Sequence, residues 1–163
     1  MTFDDIAERR HGVVRNITVT GTRSISDEDS DRLEALFRDY LLPFAAAHFY
    51  IGGAAGIDTA TLDWLAEHTS APLTVVVPCT VVDQPQPASS AIERWRAHNR
   101  LTEVIELAAP ALGTSAYHAR NEYMVDRSEF VIGFPLGTEQ TSGTWYTLNY
   151  AANQGKPRLV VPV

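Results

Sequence analysis

Ser128 to Pro157 reads S-E-F-V-I-G-F-P-L-G-T-E-Q-T-S-G-T-W-Y-T-L-N-Y-A-A-N-Q-G-K-P, with glycines and hydroxyls gathered at its centre. An apolar run (Phe130, Val131, Ile132, Phe134) stops at Pro135, as a buried strand would. Gly137, Thr138, Thr141, Ser142, Gly143 and Thr144 follow, and Trp145, Leu148 and Ala152 then recur at helical spacing. Strand, small-residue loop and helix start is the arrangement by which an α/β protein presents backbone N–H groups to an anion. The hydroxyls of Thr138, Ser142 and Thr144 would add donors. Glu139 is the loop's one carboxylate, readable as a catalytic acid or as a solvated loop residue.

Three further clusters have comparable chemistry. Gly21-Thr22-Arg23 ends a β-branched run, and its arginine can hold a phosphate by a bidentate contact or simply lie in water beside a tight turn. Gly52-Gly53-Ala54-Ala55-Gly56-Ile57-Asp58 leaves room for a ligand against the backbone. Its Asp58 reads as a first-turn acid complementing a helix dipole, with a catalytic role as the weaker alternative. Arg120-Asn121 can hydrogen-bond a phosphate or the facing loop; the alternative is a surface helix with Arg120 paired to Glu122 or Glu129. The five histidines have no metal-ligand spacing and Cys79 is the single cysteine, so no metal site is expected. G-x-S-x-G and G-x-x-x-x-G-K-[ST] are absent, and the first turn lacks G-x-G-x-x-G.

The elements that must position these clusters alternate. Strands are expected at 17–20, 49–51, 73–77, 104–107, 129–134 and 158–163, with a continuous apolar run at 73–77 as in a strand buried on both faces. Helices are expected from a capping box at Ser26 and Asp29 through Phe44, and from about Gly56. Further helices are expected after a cap at Ser89 or Ser90, over Tyr117–Asp126, and after Ser142. Residues 1–14 are polar and read as an arm, and 15–163 as one domain. This pattern predicts a Rossmann-like doubly wound α/β fold with about six mainly parallel strands and helices on both faces. Ligands bind such sheets beyond the C-terminal strand ends, where the three glycine turns all lie.

The chain has 163 residues, 45% hydrophobic, 20% charged, and a formal net charge of −7. That charge disfavours broad binding to nucleic acid or anionic membrane while permitting a local basic pocket. No apolar run approaches the ~20 residues that span a bilayer, and with one cysteine and no secretory signal a cytoplasmic protein is expected. Trp145, Tyr146 and Tyr150 give the last helix more aromatic surface than one core face needs, which predicts a homodimer.

In this order the motifs resemble the SLOG superfamily of Rossmann-like nucleotide-binding domains, and within it the DNA-processing protein A branch. The matching pieces are G-T-R at 21–23, G-G-A-A-G-I-D at 52–58, R-N at 120–121, S-G-T at 142–144 and A-x-x-x-G-K-P at 151–157. The resemblance implies a pocket for a nucleotide, a nucleotide-derived molecule or a nucleic-acid phosphate, with no required cofactor beyond that ligand. Its expected residues are Gly21, Thr22, Arg23, Gly52, Gly53, Ala54, Gly56, Ile57, Arg120, Asn121, Gly137, Thr138, Ser142, Gly143 and Thr144. The branch tends to carry arginines where this chain has Ala55 and Glu122, which with the charge of −7 shifts the expectation from single-stranded DNA to a small nucleotide. Lonely guy-type phosphoribohydrolases and nucleoside deoxyribosyltransferases are similar too, and imply N-glycosidic cleavage. Their glutamate positions are held here by Thr141 and Thr147, leaving Glu139 or Asp58 as the carboxylate.

Overall fold

A computed structural model describes residues 14–137 and 142–163. Six parallel strands form one sheet: β1 (Asn16–Gly21), β2 (His48–Gly52), β3 (Leu73–Val77), β4 (Glu103–Glu106), β5 (Phe130–Phe134) and β6 (Arg158–Val160). Their spatial order is β4-β3-β2-β1-β5-β6. From β1 the chain winds outward to β4, then returns to lay β5 on the other side of β1. The strand order therefore reverses between β1 and β5, and a crevice opens there beyond their C-terminal ends.

Five α-helices connect the strands within the described residues: α1 (Ser30–Tyr40), α2 (Ile57–His68), α3 (Gln86–Ala97), α4 (Thr114–Asp126) and α5 (Gly143–Asn153). The larger core cluster joins α1, α2 and α3 to one face of the sheet through Leu33, Phe37, Trp64, Leu65 and Ile92. Phe37 is its hub, edge-on to Phe134 at 5.4 Å and tilted against Trp64 at 6.1 Å. On the opposite face Val125, Val131, Leu148 and Ala151 seal α4 and α5 against β5. Gly133 has no side chain because Leu148 of α5 fills that place, 2.7 Å from where a Cβ would stand.

Several boundaries differ from the sequence expectation. The capping box at Ser26 and Asp29 opens a 3-10 turn (Asp27–Asp29) that runs into α1. Pro43 then diverts the expected helical stretch into a second 3-10 turn, Leu42–Phe44. Helix α3 begins at Gln86, after Pro85, rather than behind Ser89 or Ser90; Pro87 fits its first turn, where no N–H partner is needed. Helix α4 starts at Thr114, nearly a turn before Tyr117, a difference that matters for the site. The last strand keeps ladder pairing only over Arg158–Val160, although Val161 and Val163 still donate to the Gly133 and Pro135 carbonyls. The expected arm lies, but for Val14, outside the described residues. No described helix is long and apolar enough to cross a membrane.

Candidate functional site

A cleft of about 440 Å³ opens at the switch between β1 and β5. Thr20, Gly21, Thr22 and Arg23 form its β1 side, Ala54 and Asp58 its β2–α2 side, Thr114 to Met124 of α4 its wall, and Ser142 to Thr144 its α5 end. Of the residues expected from sequence, Gly21, Thr22, Arg23, Ala54, Arg120, Asn121, Ser142, Gly143 and Thr144 line it, and so does Asp58.

Arg120 is the cleft's buried cation, only 3% exposed. Its Nε donates to Asn121 Oδ1 at 2.7 Å and its Nη1 to the Val76 carbonyl at 3.4 Å. A guanidinium carries five N–H donors. The others have no protein acceptor among the described residues, and the cleft that Arg120 lines is where they can be met. The surface pairing with Glu122 or Glu129 does not occur.

Asp58, 6% exposed, lies in the first turn of α2 as expected and accepts from the Ala54 N–H at 3.2 Å. Burial pushes its carboxyl above the ordinary value, opposed by Arg120, the Ala54 N–H and Arg23. Burial likewise lowers the Arg120 guanidinium while Asp58 raises it. An arginine starts so high that it stays charged. Arg23 stacks over the Tyr117 ring, 4.2 Å from Cζ to centroid, which fixes a second cation at the cleft. Two cations thus face one carboxylate in a protein whose net charge is −7.

The glycines act differently from the sequence expectation. The absent side chain of Gly21 makes room for the Ile57 side chain, not for a ligand. A Cβ on Gly52 would stand 2.6 Å from both Arg120 Nη1 and Asp58 Oδ2, and one on Gly53 2.5 Å from Val77 Cγ1. Gly56 has φ +77°, and a Cβ there would strike the Thr22 carbonyl. Gly52, Gly53, Gly56 and Ile57 therefore build the wall behind the cleft without lining it.

The backbone donors are corrected too. The Thr22 N–H is spent on the Phe134 carbonyl (3.0 Å), the Ile57 N–H on the Thr22 carbonyl (2.9 Å) and the Ala54 N–H on Asp58. The N-terminus of α5 remains the anion-facing backbone: its first-turn N–H groups have no intrahelical partner, and Ser142 caps Trp145 N–H at 3.4 Å. Gly143 has nothing within 4 Å of its missing Cβ. Gly137, at φ +60°, stands outside the cleft lining. Thr138 and Glu139 lie outside the described residues.

Thr114, Tyr117, His118 and Met124 line the cleft without having been expected there. Thr114, Tyr117, His118 and Asn121 fall at i, i+3, i+4 and i+7, one face of α4. That signal was present in the sequence, but the expected helix began too late to show it. The aromatic residues of α5 find partners within the chain. Trp145 packs on the smaller core cluster, Tyr146 stacks on His118, and Tyr150 donates to Asp126 Oδ1 at 2.7 Å. They give no further argument for a second copy. Among the described residues no group of three or more His, Cys, Asp or Glu is placed to hold a metal.

Fold and cleft together define a Rossmann-like α/β protein of the DNA-processing protein A type. The model of the family "DNA recombination-mediator protein A" matches residues 8–163, and the chain belongs to that family. Among solved structures it is similar to DNA processing protein A from Streptococcus pneumoniae, with TM-score 0.68 and 20% identity over 92% of this chain. It is also similar to DNA processing protein A from Helicobacter pylori, described for its single-stranded DNA binding mode, with TM-score 0.65 and 20% identity over 91%. The chain spans 51% and 66% of the length of those two proteins. A search of the curated proteins found no match.

Proposed function

We propose that the cleft holds a phosphate of single-stranded DNA, gripped by Arg120 and Arg23 and faced by the N-terminus of α5. The observation that carries this reading is the buried Arg120, which lines a solvent-open cleft at the switch point and makes two hydrogen bonds with the described residues, leaving donors free for a ligand. A phosphate oxygen in the cleft would accept from these donors with charge-assisted bonds. Membership of the recombination-mediator family, and the single-stranded DNA bound by the Helicobacter pylori relative, favour a polynucleotide as the source of that phosphate.

The second reading is a free nucleotide or nucleotide derivative. The net charge of −7 favours it, since a long polyanion is repelled by the rest of the surface. A cleft of about 440 Å³ also suits a small ligand. N-glycosidic cleavage has no supporting observation here: Asp58 is engaged by the Ala54 N–H, and Glu139 lies outside the described residues.

Fluorescence anisotropy with a labelled oligothymidylate tests the proposal, with nucleoside monophosphates as competitors. Arg23→Ala removes one charged contact and is expected to weaken binding about tenfold or more. Tight binding of a monophosphate with none of the oligonucleotide would transfer the cleft to the second reading. Unchanged affinity in Arg23→Ala would remove the cleft from either.

A further inference from the structure

A second groove, of about 480 Å³, runs between α4 and α5 and shares Thr114, His118 and Ser142 with the anion cleft. Tyr146 and Asn149 line it, and Asn153 lies at its far end along α5. These three residues fall at i, i+3 and i+7, so α5 presents them on one face. The rings of His118 and Tyr146 are parallel within 2°, with centroids 3.5 Å apart. Both side chains are half-buried, so a preformed aromatic stack stands where the two cavities meet. Asn149 is oriented as well. Its Oδ1 accepts from Arg158 Nη1 at 3.3 Å, which leaves the Nδ2 group as a donor.

We propose that this groove receives the base of the nucleotide whose phosphate occupies the cleft. The base lies against the His118–Tyr146 stack, and Asn149 Nδ2 donates to a ring carbonyl such as O2 or O4 of thymine. The inference rests on the phosphate reading above and adds a base subsite to it. Ring stacking tolerates any base, because every base has a π-face. The single amide donor adds a preference for bases that offer a carbonyl. Little ordering of the rings is needed on binding, since they already hold one another.

Two labelled oligonucleotides of equal length separate the parts: oligothymidylate, and the same sugar-phosphate backbone carrying abasic tetrahydrofuran units. The wild-type protein is expected to bind the base-bearing strand about tenfold more tightly than the abasic strand, the scale of one stacked base. Tyr146→Ala should abolish that difference while leaving abasic binding unchanged. Tyr146→Phe, which keeps the ring, should preserve it, and Asn149→Ala should reduce it a few-fold. Arg23→Ala should weaken both strands alike. Equal wild-type binding of the two strands that still depends on Arg23 would overturn the base subsite and spare the phosphate reading. A difference that survives in Tyr146→Ala would also overturn it. No binding of either strand would overturn both.

Discussion

Arg120 is held buried by few partners, and that is where its chemistry comes from. With its Nε on Asn121 and one Nη1 bond to a strand carbonyl, it balances the Asp58 carboxylate across Gly52. Arg120→Met leaves that carboxylate buried with the Ala54 N–H and Arg23 as its opposing influences. Leaving the former hydrogen-bond partners of a buried charged group unsatisfied costs roughly 1–3 kcal/mol, so urea unfolding should show a loss of that order at neutral pH. The sign of its pH dependence follows from linkage. The Asp58 carboxyl is held above its ordinary 3.8 by burial, so the native state binds its proton more tightly than the unfolded chain does. Stability attached to this group therefore falls as pH rises from the unfolded value through the folded one, and remains low above it. Losing Arg120 lifts the folded value further. The deficit of Arg120→Met relative to wild type should thus be smaller at pH 4 than at pH 7, and equal deficits would argue against the coupling. The sequence put Arg and Asn side by side but could not separate this pair from a solvated one. Burial depends on where α4 crosses the sheet, and no spacing within the helix records that.

The loop after β1 and the start of α2 are locked together by two backbone bonds and one glycine. Thr22 is bonded to Phe134 through its N–H and to Ile57 through its carbonyl, while Gly56 packs directly under it. Gly56→Ala forces a side chain into a φ of +77° and against the Thr22 carbonyl. Such a strained position costs on the order of 1–3 kcal/mol. Thermal unfolding should register that loss, and because the same contact sets the position of Arg23, ligand affinity should fall with it. A variant with full stability would show that the turn has other room. Most of this layer was legible in the sequence: strand positions came from β-branched and apolar runs, and glycine turns marked their C-terminal ends. What the glycines do was not legible. An invitation to a ligand and an accommodation for Ile57 or Val77 have the same one-dimensional signature. The early start of α4 was missed because its first turn, Thr114 to Ala116, carries no apolar period.

Over the whole molecule, a formal net charge of −7 is set against a cleft with two cations. Single-stranded binding loses affinity with salt at a slope of about −0.7 per phosphate neutralised. With Arg23 and Arg120 as the cleft's arginines, a plot of log affinity against log salt should have a slope of about −0.7 to −1.4. A slope several times steeper would require a basic track elsewhere, which the expectation from a net charge of −7 speaks against. The sheet order explains why so few residues suffice. Winding outward from β1 and returning to β5 brings the first turn, the second glycine motif, α4 and α5 to one crevice, although together they span residues 21 to 153 of the sequence.

The most direct test of the phosphate cleft is amide chemical-shift mapping of the isotope-labelled protein titrated with 5′-phosphorylated oligothymidylate. The largest shifts are expected at Gly21 to Arg23, Tyr117 to Asn121, and Gly143 and Thr144, saturating together. Saturable shifts confined to another surface, with these residues unmoved, would contradict the placement of the phosphate in this cleft.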